Sequence, residues 1–185
     1  MVYPFFLLTL NFGFCANAYN QSFLSEKQLQ ATFLEFNSSK KQYSFLNLRN
    51  QTINWTYLST NPKNLNSSLG TIVISPGRTE SSLNWSELSV AFKNAGYAVA
   101  IIDHISQGQS ERIVHDKDIG HIDHFESYSD DFNLFLSSVK NKTKGPYYLI
   151  GNSMGAPIAL ISDTSMFKKI EIGRASCRER VYLAV

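Results

Sequence analysis

The chain has 185 residues, 43% of them hydrophobic and 13% aromatic, with a formal net charge of +2. That is enough apolar surface for one domain with a real core, and it excludes a disordered tail or a disulfide miniprotein. No run of Lys or Arg forms a basic stripe, so charge gives no case for nucleic acid as a partner.

In chain order, the residues from Tyr3 to Cys15 are apolar and uncharged. They are too few to span a bilayer, which takes about 20 apolar residues. They end in Ala16-Asn17-Ala18, a small-x-small pattern that a signal peptidase cuts before Tyr19. Residues 1–18 are therefore read as an export signal of a periplasmic or secreted protein. An uncleaved membrane anchor and a mis-assigned start codon are the alternatives. Phe14 excludes a lipoprotein, because the residue before a lipidated cysteine must be small.

Residues 19–69 read as a helix and two strands. Phe23, Leu24, Leu29, Phe33, Leu34 and Phe36 make an irregular helical stripe with Ser25 as N-cap. Gln42–Leu48 and Thr52–Ser59 are strand-like, with a turn at Arg49-Asn50-Gln51 and a polar connector from Asn61 to Ser68. From Gly70 onward the texture changes. Thr71–Ser75, Ala98–Ile102 and Tyr147–Ile150 are short apolar runs, as expected for parallel strands covered on both faces. Leu83–Ala95, Phe125–Val139 and Ser153–Ile161 read as the helices between and after them. The alternation predicts an α/β fold with a mostly parallel sheet, whose ligand sites lie at the carboxyl ends of the strands.

The chemistry concentrates at Gly151-Asn152-Ser153-Met154-Gly155, a G-x-S-x-G sequence between a buried strand and an apolar helix. A serine on so sharp a turn has a strained backbone, and side chains two residues to either side would collide with the neighbouring strand and helix. Gly151 and Gly155 meet that need, and Ser153 Oγ is predicted to stand free at a helix N-terminus as a nucleophile. Acyl transfer also needs two amide donors aimed at the oxyanion. One is the N–H of Met154; Gly77 lets the loop after Thr71–Ser75 turn inward, which makes Arg78 N–H the candidate for the other.

Four segments carry a family resemblance: ISPGRTESSLNWSELSVAF, GYAVAIIDHISQGQSER, GHIDHFESYSDDF and YYLIGNSMGAPIAL, in that order and spacing. Together they resemble the bacterial lysophospholipases of the monoacylglycerol-lipase-like branch of the α/β-hydrolase fold, grouped with the serine aminopeptidases of the S33 type. The resemblance runs from about Gly70 to Leu160. It departs at Ile105-Ser106 (usually Arg-Gly), at Asn152 (usually His) and at Ala156 (usually Gly). It implies Ser153 as nucleophile, Arg78 and Met154 as oxyanion amides, a Ser-Asp-His triad, a lid, and no metal or organic cofactor. His104, His115, His121 and His124 match no metal-ligand spacing, and they, like Asp103 and Asp131, are read as structural.

Triad order in this fold is Ser, acid, His, yet all four histidines precede Ser153. Asp163 lies too close to the elbow to return over it. The chain is therefore read as the N-terminal part of a hydrolase, with residues 70–170 forming half of the core and ending after the elbow helix, so that Tyr147–Ile150 is left as an open edge. Residues 171–185 have a different texture, with Arg174, Arg178 and Arg180 crowded together. They resemble an in-frame translation of a sequencing adapter and are set aside from the fold on that ground; a basic helix is the alternative. Without that tail and the export signal, Cys177 and Cys15 are both gone and no disulfide is expected.

The reading that follows is a serine hydrolase of lysophospholipid or monoacylglycerol esters, working through an acyl-enzyme on Ser153. Its partner is a small-molecule lipid ester, with peripheral contact to a membrane left open. The alternatives are an S33-type aminopeptidase, a small-ester esterase, and a non-catalytic binding protein of the same fold.

Overall fold

A computed structural model describes residues 25–60 and 69–173, with backbone alone for 169–173. The chain divides after Ala31 into two units. The described part of the first is the start of helix α1 (Glu26–Ser39). Its N-terminus is closed by a capping box, in which Gln28 N–H reaches Ser25 Oγ at 3.4 Å and Ser25 N–H returns to Gln28 Oε1 at 2.8 Å.

The second unit is built on a six-stranded sheet of order β1-β2-β4-β3-β5-β6. Its strands are β1 (Lys40–Leu46), β2 (Thr52–Leu58), β3 (Thr71–Ser75), β4 (Ala98–Asp103), β5 (Tyr147–Asn152) and β6 (Phe167–Gly173). β1, β2 and β4 pair antiparallel, whereas β4, β3, β5 and β6 run parallel. β3 and β4 are buried along their whole length because helices cover both faces, which is why they read as continuous apolar runs. One face packs on α3 (Glu126–Lys142) and α4 (Gly155–Leu160), through Trp55, Phe132, Phe135, Val139 and Ile158. The other packs on α2 (Ser86–Asn94) and the end of α1, through Phe36, Val90, Val99 and Ile101. Burying each of these large side chains contributes roughly 1.5–3 kcal/mol.

The predicted strands and helices are present, with ends shifted by a few residues. Leu83–Ala95 divides into a tight turn of helix at Ser82–Trp85 followed by α2. Of the described apolar residues in α1, Phe36 alone is buried, while Leu29, Phe33 and Leu34 are exposed. One expectation, the open edge of β5, needs correction. That edge is not open, because β6 pairs with it in parallel from Phe167 to Gly173. Unpaired N–H and C=O groups on a strand edge recruit any extended segment within reach, and Phe167 and Met166 pack on the core as β6 arrives. The strand takes in Glu171, Ile172 and Gly173, which the sequence reading had set aside.

The export signal, the connector from Asn61 to Ser68 and residues 174–185 lie outside the described residues. Among the described residues no helix is long and apolar enough to cross a membrane.

Candidate active site

β3 and β5 lie side by side in register, Ser75 opposite Gly151, so both chains leave the sheet at the same level. After β5 the chain turns through Ser153 into α4, and Ser153 takes the left-handed conformation at φ 49°. A non-glycine residue holds this conformation only where its surroundings impose it. The flanking glycines show what imposes it. A Cβ on Gly155 would stand 1.9 Å from the Ser75 carbonyl oxygen, and one on Gly151 would stand 2.9 Å from Ala156 Cα. Helix α4 therefore sits directly on the end of β3 and against the last turns of β5. Ser153 is half-buried, and among the described residues its hydroxyl has no hydrogen-bond partner.

After β3 the loop Pro76–Glu80 folds over the same turn. A Cβ on Gly77 would lie 3.1 Å from Ser153 Cβ and 3.3 Å from Asn152 Nδ2, so glycine is what lets the two backbones meet. The loop is held by its own amides. Gly77 N–H donates to Glu80 Oε2 at 2.6 Å, Glu80 N–H to the Gly77 carbonyl at 3.3 Å, and Thr79 N–H to Gln107 Oε1. Arg78 N–H, between them, donates to nothing among the described residues, and the same is true of Met154 N–H. The structure thus brings Ser153, Arg78 and Met154 to one place and leaves two amides unused beside the serine.

Residues that the motif did not single out do the fastening. The Glu80 carboxylate accepts from Gly77 N–H, from Trp85 Nε1 at 3.2 Å and from Asn152 Nδ2 at 2.8 Å, tying loop to elbow. Ser75 Oγ and His104 Nε2 share a hydrogen bond of 3.1 Å beneath the loop. His104 is fully buried against Tyr128 and Phe132, and burial alone pushes its pKa down to about 3, so the ring is neutral. Asp103 accepts from Ser82 N–H at 2.7 Å and Gln109 N–H at 2.9 Å; burial pushes its carboxyl up, and those two bonds pull it back. Asp131 pairs with Arg49 at 2.6 Å and accepts from Asn47 at 3.3 Å, pinning the β1–β2 turn to α3. His121 is exposed and bonds Asp123 at 2.9 Å. Asp163 is exposed and turned to Ser165 N–H at 3.0 Å, away from the elbow's opening turn.

The strand order together with a left-handed serine between strand and helix defines an α/β hydrolase. Solved structures agree. A carboxyl esterase from Bacillus coagulans superposes with a TM-score of 0.60 at 17% identity, over 73% of this chain and 44% of that one. An alpha/beta hydrolase from Novosphingobium aromaticivorans gives 0.56 at 12% identity, over 73% and 44%. At such identities the likeness is one of fold. The family described as serine aminopeptidase, S33, matches residues 66–162, more than half of the chain, and the chain belongs to that family. It is also 37% identical over 93 residues to lysophospholipase L2 of Escherichia coli (strain K12). That stretch is 49% of this chain but 27% of the relative, so the chain spans about a quarter of the length of the curated relative it matches.

Proposed function

We propose that the protein to which this chain belongs is a serine hydrolase of carboxylic esters, with lysophospholipids or monoacylglycerols as substrates. The observation that carries this reading is the meeting of Gly77 with Ser153, which sets an uncommitted amide of the β3 loop beside an unpartnered hydroxyl. Ser153 Oγ attacks the ester carbonyl, and the Arg78 and Met154 N–H groups hold the oxygen as it gains charge. The glycerol-bearing alcohol leaves, and water releases the acyl group from Ser153. His104 is not the general base, since its Nε2 is engaged by Ser75 and its ring is buried. The likeness to a lysophospholipase supports the choice of substrate.

Replacing Ser153 by Ala tests the reading. Turnover of lysophospholipid and labelling by fluorophosphonate are both expected to vanish, turnover falling about 10⁴-fold or more, with the circular dichroism spectrum unchanged. An enzyme that keeps most of its activity without Ser153 is not this hydrolase. We also infer export, from the apolar run Tyr3–Cys15 and Ala16-Asn17-Ala18. Mass spectrometry of the secreted or periplasmic fraction should find Tyr19 at the N-terminus; a cytosolic protein starting at Met1 contradicts it.

A further inference from the structure

A cavity of about 220 Å³ opens between the Pro76–Glu80 loop, the loop after β4 and the start of α3. Arg78, Gln107, Arg112, Lys117, Asp118 and Tyr128 are among its lining residues. Three are cations and one is an acid. Among the described residues none of the three cations forms a salt bridge. The Arg112 guanidinium is held by the carbonyls of Ser110, Gly108 and Lys117 at 2.9–3.1 Å, so its position is fixed; its charge acts on the buried Asp103 carboxylate without forming a salt bridge to it. Arg78 lines the same cavity as Tyr128, whose phenol burial pushes up in pKa and the Arg78 charge pulls back down.

Gln107 supplies the second observation. The residue is 5% exposed, and among the described residues its Nε2 has no hydrogen-bond partner. The orientation of the amide is not arbitrary. Thr79 N–H must meet an acceptor, so Oε1 faces Thr79 and the NH₂ group faces the other way. A buried donor left unmatched costs about 1–3 kcal/mol, and it sets partial positive charge behind the cavity wall. The walls are rigid. Gly108 at φ 51° lies on the Asp103 carboxylate, Ser106 at φ 62° accepts Ile113 N–H at 3.2 Å, and Thr79 at φ 64° is clamped by Gln107.

An excess of positive charge, a fixed guanidinium and an unmatched amide donor suit an acceptor-only ligand with several oxygens and a negative charge. We propose that this cavity binds a phosphate ester, and that its occupant is the head-group phosphate of a lysophospholipid whose acyl ester lies at Ser153. Arg78 links the two sites, with its amide beside the serine and its side chain in the cavity. The assignment to a head group rests on the function proposed above; the binding of a phosphate ester does not.

The test is a calorimetric titration of the purified protein at low ionic strength with inorganic phosphate, glycerophosphocholine and glycerol. Glycerophosphocholine should bind saturably and glycerol should not. Gln107→Glu keeps an acceptor for Thr79 N–H but sets a carboxylate where the NH₂ was, and should weaken binding at least about tenfold. Lys117→Ala, at an exposed side chain, should weaken it about threefold. Lys117→Ala should keep the wild-type melting temperature, and each titration is run well below the melting temperature of its variant. Saturable binding of phosphate without glycerophosphocholine overturns the head-group assignment in favour of a free-phosphate site. No saturable binding of either, or equal affinity in wild type and Gln107→Glu, overturns the proposal. In turnover, Lys117→Ala should lower kcat/KM for a lysophospholipid but not for the monoacylglycerol of the same chain length, and an equal fall in both overturns it. If Ser153 is not the nucleophile, its Ala variant still turns over while the titration reads as before, so the two failures are told apart.

Discussion

Glu80 and Asn152 are 72 residues apart in sequence and meet at 2.8 Å, carboxylate to side-chain amide. Through that bond the residue before Ser153 is tied to the loop that carries Arg78. The same carboxylate also receives Gly77 N–H and Trp85 Nε1–H, so three donors depend on it.

Glu80→Ala should therefore act on stability and on the site together. Loss of bonds to a charged group costs about 1.5–3 kcal/mol each at most, and water recovers part of this at a half-buried position. We expect a fall of about 2–3 kcal/mol in urea unfolding, and a kcat that drops more than KM changes. A double-mutant cycle with Asn152→Ala should return a coupling of about 0.5–1.5 kcal/mol. A coupling of zero would mean that the bond does not fasten loop to elbow.

Among the described glycines, Gly155→Ala should be the most damaging single methyl. Its Cβ would lie 1.9 Å from the Ser75 carbonyl oxygen, a backbone atom that cannot swing aside. Either α4 lifts off β3 or the strand end moves, and we expect a loss of about 3 kcal/mol or more or no soluble protein. Gly151→Ala meets Ala156 Cα at 2.9 Å and should cost less. Comparing the two melting temperatures checks the ranking.

His104 sets an acid dependence. Its folded pKa is pushed down to about 3 by burial, against about 6.5 in the unfolded chain. Between those values the unfolded chain binds a proton that the folded one refuses. Stability from this group is thus complete above pH 6.5 and falls by about 1.4 kcal/mol per pH unit as pH drops toward 3. Asp103 and Asp131, whose carboxyls burial pushes up, titrate in the opposite sense. The quantity to measure is therefore wild type minus His104→Gln, by urea unfolding at pH 7 and 4.5. The gap should shift by about 2–3 kcal/mol in favour of the variant at the lower pH. A gap independent of pH would show His104 to be charged or solvated in the fold.

The sequence was most legible where one local rule decides the outcome. Strands β3 and β4 are buried on both faces and their runs of β-branched residues say so. The elbow needs glycine at two fixed offsets, and Gly151 and Gly155 stand there. Asp103 and Asp131 were readable as anchors because a buried carboxylate must find donors. What could not be read was convergence over distance. Glu80, Gln107 and Thr79 become part of the site only when β3, β4 and β5 line up, and nothing in their own neighbourhoods announces it. The departure at Asn152 was the one hint, since a polar residue next to Ser153 needs a partner, and the partner is Glu80. The α1 stripe announced a helix but not its burial, because apolar spacing describes a face without saying what covers it. β6 was missed because an exposed edge selects for extended backbone more than for any residue type.

The in-register ends of β3 and β5 have a consequence for how such a site can change over time. With Ser75 opposite Gly151, the distance from the loop amide to the serine is set by the count of residues in two strands rather than by any side chain. One residue inserted near the end of either strand would slide its loop by about 3.3 Å, longer than a hydrogen bond. Side chains around the cavity, by contrast, can be exchanged one at a time without moving that alignment. Selection for new substrates is thereby channelled into substitutions at Gln107, Lys117 and their neighbours, while length changes in Thr71–Arg78 or Tyr147–Ser153 are penalised together. A graft that carries the elbow to another scaffold must bring both segments as one piece.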